Sequence, residues 1–213
     1  MWVKCVGLEL VMKRWFGVAA FVFASVLSTA AIAATSPVFA PEFGKSLPPV
    51  GFVKFCVSNP AECKNVGRRA QRVELSPTAW NMLFKVNADV NQDIAPISDA
   101  DQYGVPEFWT YPTTAGDCED YLLLKKRDLE KLGFDSGALL ITVVLDEKNE
   151  GHAVLTVATD RGDFVLDNRR NDILVWAETG YTFLKRQSQR DPKVWVALTD
   201  GAHKTVKATA GNN

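Results

Sequence analysis

One apolar run dominates the N-terminal part of the chain. Residues 15–27 are almost unbroken apolar sequence, with Lys13 and Arg14 before them and Ala31-Ile32-Ala33 after them. A basic start, a short apolar run and a small-x-small site are typical of a signal peptide. The run is also shorter than the about 20 residues that a transmembrane helix needs. The pattern therefore predicts a signal peptide over residues 1–33 and a periplasmic or secreted protein with no membrane insertion after cleavage. The alternative is an uncleaved N-terminal anchor.

After residue 33, the first regular pattern along the chain is a helical spacing of apolar residues. Behind a Ser-Pro start signal, this spacing predicts a helix over residues 78–90. Residues 91–116 contain three prolines and two glycines, so they are predicted to form a long loop. Asp117 is predicted to be the N-cap of a second helix, with Asp120 three residues on completing a capping-box-like arrangement, and Gly133 is predicted to stop that helix.

Strand patterns fill the C-terminal half of the chain. Apolar and β-branched runs predict six strands, at residues 139–145, 152–159, 164–167, 173–176, 181–186 and 194–198. A four-residue turn at 160–163 would pair Thr159 with Phe164 and Thr156 with Asp167. Helices followed by an antiparallel sheet predict an α+β fold.

Composition and charge limit the classes of protein that the chain can represent. It is 47% hydrophobic and 23% charged, which is typical of a soluble globular domain. The formal net charge of -1 argues against nucleic acid as a partner, because phosphate binding needs clustered basic residues. We predict an N-terminal arm over residues 34–69, one main domain over 70–200, and a flexible tail over 201–213.

The four cysteines divide into separate roles. Cys5 leaves with the signal peptide, and Cys56 and Cys63 bracket a short turn-forming stretch. In an oxidising compartment such a pair is predicted to form a disulfide, whereas the alternative, a metal pair, lacks neighbouring ligands. Cys118 is then left over, and an odd cysteine in an exported protein indicates a free thiol with a function of its own.

Cys118 falls in the first turn of the second predicted helix. The unpaired N–H groups and the positive end of the helix dipole stabilise a thiolate there, and they can also hold an oxyanion. The alternative is a buried structural thiol, which the acidic neighbours of Cys118 disfavour. The position therefore predicts a nucleophile.

A base and an orienting carboxylate are available for that nucleophile. His152 is the one histidine inside predicted structure, because His203 falls in the predicted tail. Asp167 ends the next strand and shares the face of His152, but the predicted register leaves the two roughly 13 Å apart along the strand. A bend, a bulge or a different turn must close this gap. We predict a catalytic triad of Cys118, His152 and Asp167.

Three acidic residues surround the predicted nucleophile. Asp117, Glu119 and Asp120 would raise the pKa of the Cys118 thiol and oppose the helix dipole. Their carboxylates are also ligands of the kind that calcium prefers, so a bound cation would remove the conflict. The alternative is a solvated first helical turn with capping carboxylates.

Three motifs resemble those of the bacterial transglutaminase-like cysteine peptidases. They are Gly116-Asp117-Cys118-Glu119-Asp120-Tyr121, Gly151-His152-Ala153-Val154-Leu155 and Val165-Leu166-Asp167-Asn168. The likeness runs from about residue 70 to 200, although residues 112–115 lack the basic and glycine residues that relatives often carry. The resemblance implies a papain-like or transglutaminase-like fold, in which N-terminal helices and a nucleophile helix pack on an antiparallel sheet. It also implies the same triad.

The best-known branch of that family, the LapG type, implies a more specific function. Its members are periplasmic, cleave a large surface adhesin to release cells from a biofilm, and are sequestered by a membrane receptor that responds to cyclic di-GMP. They bind calcium at positions matching Asp117, Glu119 and Asp120. The expectation is an exported cysteine peptidase that hydrolyses a protein amide bond. The alternatives are a protein-crosslinking transglutaminase, which would use the same acyl-enzyme, and a non-catalytic binding module.

Overall fold

The structure of the protein, a computed structural model, describes residues 37–65 and 72–200. The predicted signal peptide over 1–33 and the predicted tail over 201–213 lie outside the described residues, as do Cys5 and His203. Within the described ranges, no helix combines the length and the apolar character needed to cross a membrane.

Four α-helices occur in the described part of the chain. They are α1 (Val50–Ser58), α2 (Pro77–Asp93), α3 (Asp99–Tyr103) and α4 (Cys118–Lys131). Ser76 caps α2 by accepting a hydrogen bond from the Ala79 N–H at 3.1 Å, with Pro77 in the first turn. The two long helices predicted from the sequence are therefore present, and α1 and α3 are additional.

The described strands form one large sheet and one short ribbon. In chain order they are β1 (Gly44–Ser46), β2 (Ala95–Pro96), β3 (Ala115–Gly116), β4 (Leu139–Leu145), β5 (Gly151–Thr159), β6 (Gly162–Asp167), β7 (Arg170–Val175), β8 (Thr182–Gln187) and β9 (Trp195–Ala197). Seven pair antiparallel in the order β1-β9-β8-β4-β5-β6-β7, while β2 and β3 pair in parallel. The predicted α+β class is confirmed, and each of the six predicted strands is present within a few residues of its predicted bounds.

The segment predicted as an N-terminal arm is built into the fold. Strand β1 pairs with β9 at the sheet edge, and α1 buries Phe52 in edge-on contact with Trp109 and Trp195. A side chain at Gly51 would collide with the Trp109 ring, so glycine allows α1 to approach this closely. The arm therefore supplies both an edge strand and part of the core.

The predicted disulfide between Cys56 and Cys63 is present. It joins α1 to the turn that follows and closes a loop with a sequence separation of 7. Replacing both cysteines by alanine is expected to lower the free energy of unfolding by about 2 kcal/mol, because the cross-link no longer restricts the unfolded chain. Urea unfolding of the non-reduced proteins measures this difference. An unchanged urea midpoint in the double variant would contradict the expectation.

The sheet separates two apolar clusters. Helices α2 and α4 pack on one another, α4 also packs on β5, and α2 packs on β7. Along β5, Ala153 and Leu155 face the cluster that contains the helices, whereas Val154 joins the smaller cluster with Val144. This alternation is expected of a strand covered on both faces. The implied arrangement, in which a nucleophile helix packs on an antiparallel sheet, is thus observed.

The turn between β5 and β6 is shorter than the sequence predicts. Thr159 pairs with Gly162, so the turn has two residues and the predicted four-residue turn is wrong. Gly162 adopts φ +148°, which favours glycine, and the Thr159 hydroxyl donates to its carbonyl at 2.8 Å while accepting from the Arg161 N–H at 3.1 Å. Local side-chain bonds and a glycine conformation therefore fix the tight turn.

The tighter turn also corrects the predicted strand register. Thr156 pairs with Val165, and Leu155 with Leu166, instead of Thr156 with Asp167. Continued by one residue, this register brings Asp167 two residues closer to His152 than predicted. Because a shift of two preserves the face of each side chain, the predicted shared face is retained while the gap closes.

Candidate active site

Cys118 is the first residue of α4, and Asp117 occupies the N-cap position. Asp117 has extended backbone angles, but its side chain does not bond the helix N–H groups. Asp120 Oδ1 accepts from the Thr110 N–H at 2.9 Å, and the backbone N–H of Asp117 acts more weakly on the same carboxylate. The reciprocal contact of the predicted capping-box-like arrangement is therefore weak, and Asp120 mainly reaches back to the preceding loop, over Gly116, where a Cβ would come within 2.6 Å of its Oδ2.

The Cys118 sulfur lies between a carboxylate and a backbone donor. It donates to Glu119 Oε2 at 3.0 Å, and the backbone N–H of Ala153 faces it from β5. Burial of the sulfur, and then the charges of Glu119 and Asp117, raise the pKa of the thiol well above its ordinary value. The Ala153 N–H acts in the opposite direction. Among the described residues alone, this environment favours the protonated thiol.

The start of β5, which contains the predicted base His152, lies beside the Cys118 sulfur. The pairing of β5 with β6 ends at Leu155, so His152 and Ala153 pair only with β4 among the described strands. The N-terminal end of α4 meets β5 here, because the Cys118 sulfur faces the N–H of the residue next to His152. The packing of one helix against one strand therefore places the residue that follows His152 beside the sulfur.

His152 is buried and makes one side-chain hydrogen bond. Its Nε2 lies 2.9 Å from Asp167 Oδ1, and its Nδ1 is buried without a hydrogen-bond partner among the described residues. An ionised carboxylate can only accept, so Nε2 carries the proton in this pair. In the neutral imidazole, Nδ1 is then the nitrogen that can accept a proton from Cys118.

Asp167 is fixed by several donors at the end of β6. Its Oδ2 accepts from the Tyr181 hydroxyl at 2.6 Å, and its Oδ1 accepts from the Arg169 N–H at 3.0 Å. Burial alone would raise the pKa of this carboxyl. The hydrogen bonds from His152, Tyr181 and Arg169 outweigh burial and hold the pKa well below its usual range. Asp167 therefore remains an anion that holds the imidazole in one orientation.

Tyr181 is a part of the site that sequence reasoning missed. Besides its bond to Asp167, its ring meets the His152 ring edge-on, with centroids 5.6 Å apart. Burial, followed by the bond to Asp167, raises the pKa of Tyr181 to about 12, so it stays a donor at neutral pH. No spacing rule links Tyr181 to the motifs, because a long turn and another strand separate them.

A cluster of carboxylates adjoins the sulfur. Asp99, Asp117 and Glu119 each place one carboxylate oxygen within 4.8 Å of the others. The three predicted metal ligands were Asp117, Glu119 and Asp120; the first two meet here, whereas Asp120 lies outside this group and Asp99 joins from α3. Glu119 and Asp120 are only 7% and 0% exposed, so the alternative of a solvated first turn is wrong.

The oxygens of this cluster are under-satisfied. Asp99 Oδ1, Asp117 Oδ1 and Asp120 Oδ2 are buried and have no hydrogen-bond partner among the described residues. Burial is the largest cause that raises the pKa of Asp99 to about 6, of Asp120 to about 7 and of Glu119 to about 9. Buried carboxylate oxygens without donors are costly, and a hard cation is the group that would satisfy them.

Comparisons with known proteins identify the family of the chain. Three solved structures of LapG from Legionella pneumophila are similar to the chain. The calcium-bound structure has 25% identity and a TM-score of 0.49, covering 59% of this chain and 72% of that chain. A second structure has 24% identity and a TM-score of 0.48, and it covers 58% of this chain and 69% of that chain. The EGTA-treated structure has 25% identity and a TM-score of 0.49, and it covers the same shares of the two chains. No curated protein gives a significant sequence match. The profile of the bacterial transglutaminase-like cysteine proteinases (BTLCP) matches residues 42–203, most of the sequence, and the chain belongs to that family.

Proposed function

We propose that this cysteine peptidase hydrolyses protein amide bonds through a triad of Cys118, His152 and Asp167. The observation that carries the proposal is the His152–Asp167 hydrogen bond, which leaves His152 Nδ1 unpartnered at the end of β5 that meets the Cys118 sulfur. A nucleophile, a base and an orienting carboxylate in this order match the requirements of acyl transfer.

The reaction follows from these positions. His152 Nδ1 takes the Cys118 proton, and the sulfur attacks the carbonyl carbon of the scissile amide. The Cys118 N–H at the start of α4 donates to the oxyanion, because the first N–H groups of a helix have no partner within it. His152 returns the proton to the leaving amine, and the acyl-enzyme forms. Water, activated by the same imidazole, then releases the acid and restores the thiol.

We also propose that calcium binds at Asp99, Asp117 and Glu119, with Asp120 beside them. The support is the set of buried, unpartnered carboxylate oxygens, which suit an oxygen-loving cation. One solved relative, LapG of Legionella pneumophila, also contains calcium. The bound cation would neutralise the carboxylates that disfavour a Cys118 thiolate. Glu119 contacts the sulfur, so it connects the two sites.

Calcium affinity is expected to rise with pH. Burial holds the pKa of Glu119 at about 9 and of Asp120 at about 7, so the free site carries protons at neutral pH that calcium must displace. The apparent affinity should increase by roughly three- to tenfold per pH unit between pH 6 and 8. Calorimetry in two buffers of different ionisation enthalpy measures the protons released.

The matched variants in that experiment are Glu119→Gln and Asp89→Asn. Glu119→Gln should bind calcium more weakly and release fewer protons. Asp89 is an exposed residue that pairs with Lys85 on α2, so its replacement should change neither quantity. Calcium binding that is independent of pH, or is unaffected by Glu119→Gln, would refute the proposed ligand set.

The proposed setting is the periplasm or the outside of the cell, with a surface adhesin as substrate and a cyclic di-GMP receptor as regulator. The signal-peptide pattern, the Cys56–Cys63 disulfide and the resemblance to the LapG type support this setting. Incubation of the mature chain with surface proteins of the source bacterium, followed by mass spectrometry of new N-termini, tests it.

The same incubation separates the rival activities. Calcium-dependent cleavage at few sites, absent with iodoacetamide-blocked enzyme, is the expected result. Incorporation of a fluorescent primary amine without new N-termini would identify a transglutaminase instead. Neither product, together with retention of a surface protein on the immobilised chain, would favour a binding module.

A further inference from the structure

Two asparagines of α2 hold the turn that carries Asp167. Asn91 Nδ2 donates to the carbonyls of Asp167 and Arg170 at 2.9 and 3.1 Å. Asn87 Nδ2 donates to the carbonyls of Arg170 and Asn171, both at 3.1 Å. Asp167 pairs directly with Arg170 across a two-residue turn, so these bonds anchor both sides of the turn. The backbone beneath Asp167 is therefore tied to a helix outside the sheet.

A buried lysine of the nucleophile helix orients the first of these asparagines. Lys125 Nζ donates to Asn87 Oδ1 at 2.7 Å, and Lys125 and Asn87 are 1% and 0% exposed. The backbone carbonyls of the turn can only accept, so the NH₂ of the Asn87 amide faces them and its oxygen accepts from Lys125 on α4. A chain of hydrogen bonds thus runs from α4 through α2 to the strand that bears Asp167.

Burial of a lysine is unfavourable for stability unless its environment is specific. Desolvation lowers the pKa of Lys125 to about 7, and the charge of Asp167 acts against this shift. The centroid of the Tyr121 ring lies 5.9 Å from Nζ. An apolar side chain of similar length would fill the same volume at lower cost. The polar group therefore needs an explanation other than packing.

We infer that Lys125, Asn87 and Asn91 are positioning residues that set the Asp167 turn relative to α4. Cys118 and Lys125 lie on the same helix, so the chain of bonds ties the element that carries the sulfur to the carboxylate that orients His152. This inference rests on the proposed triad. The buried hydrogen bonds then align His152 Nδ1 with the Cys118 sulfur.

The test uses the mature chain, without residues 1–33 and therefore without Cys5, in the presence of calcium. Asn87→Asp keeps the size of the side chain and the acceptor for Lys125, but it turns an oxygen toward the two carbonyls. Lys125→Met keeps the volume and removes the donor. Lys126→Met is the matched control, because Lys126 is buried on the same helix but donates to the Ser136 and Leu139 carbonyls instead.

Two readouts report on alignment and not on folding. The first is the downfield NMR signal of the His152 Nε2 proton that bonds Asp167, identified by its loss in His152→Ala. The second is the rate of Cys118 alkylation by iodoacetamide at pH 7. Asn87→Asp and Lys125→Met should shift or broaden the proton signal and slow alkylation about tenfold, as misalignment of reacting groups does. Lys126→Met should keep the signal and stay within about twofold in rate, even if its thermal midpoint falls.

The positioning role of these residues is supported or overturned by each result. If Asn87→Asp does not fold, Asn91→Ala removes the donor to the Asp167 carbonyl from a less buried position and should give the same shift. The positioning role alone is overturned if a folded Asn87 or Asn91 variant keeps the wild-type proton signal and the wild-type alkylation rate. It is also overturned if Lys126→Met shifts the proton signal as much as the other variants do. A wild-type rate that His152→Ala does not change overturns the triad and, with it, this inference.

Discussion

Cys118→Ala is expected to lower peptide hydrolysis by at least about 10⁴-fold and to leave the fold intact. Among the described residues no other thiol is free, because Cys56 and Cys63 are joined to each other. The residue is only partly buried, and its thiol packs at the edge of the larger apolar cluster and donates one hydrogen bond to Glu119. Its removal therefore eliminates the nucleophile and one hydrogen bond, while the helix and the sheet keep their other contacts.

The measurement is the rate at which the variant releases the cleaved fragment of a protein substrate of the wild type. Cys118→Ser is the companion variant, because it keeps a hydroxyl at the same point but lacks the acidity and nucleophilicity of a thiol. Both should lose turnover, and both should keep a thermal midpoint within a few degrees of the wild type. Turnover in Cys118→Ala within tenfold of the wild type would show that Cys118 is not the nucleophile.

The elements that carry the site follow from local patterns. Helix α4 begins with Cys118, directly after the predicted N-cap, because an extended Asp117 precedes a run with helical spacing. Strands β4 to β6 follow from dense β-branched sequence, which is the signal for a sheet covered on both faces. Cys118, His152 and Asp167 could be chosen because each lies at an end of such an element.

The pairing between these elements was harder to predict. A two-residue and a four-residue turn at 160–163 share the same polar residues, and the difference depends on the positive φ of Gly162. The shift of two residues decides whether Asp167 reaches His152. Sequence patterns predict which face a residue occupies, but they define the register along a strand less well.

The missed residues share a physical reason. Asp99 and Tyr181 reach the site from α3 and from the start of β8, so only tertiary packing brings them to Cys118 and Asp167. Glu119 and Asp120 were open to interpretation as solvated because acidic residues are rarely buried. The loop before α4 covers them, as the bond from the Thr110 N–H to Asp120 shows. Burial of charge, which sequence rules treat as an exception, is the feature that defines this site.

His152→Ala is expected to slow alkylation of Cys118 at pH 7 by about 10²- to 10³-fold and to reduce turnover at least as much. Burial and the carboxylates of Glu119 and Asp117 raise the pKa of the thiol well above its ordinary value. Without an imidazole to accept the proton, few molecules carry a thiolate at neutral pH. In the variant the rate should rise about tenfold per pH unit through the alkaline range, because it follows the thiolate fraction alone.

The wild type should instead reach most of its rate near neutral pH, because the proton moves to His152 Nδ1. Alkylation of the mature chain, which lacks Cys5, is read by intact mass, and the disulfide limits the reaction to Cys118. His203→Ala is the matched control, since the sequence has only two histidines, and it should leave the rate unchanged. The alkylation rate of Asp167→Asn should fall between the rates of the wild type and His152→Ala, because this variant keeps the base but weakens its orientation. Superimposable plots of alkylation rate against pH for the wild type and His152→Ala would mean that another group deprotonates the sulfur. Glu119, which lies 3.0 Å from the sulfur, would then be the next candidate.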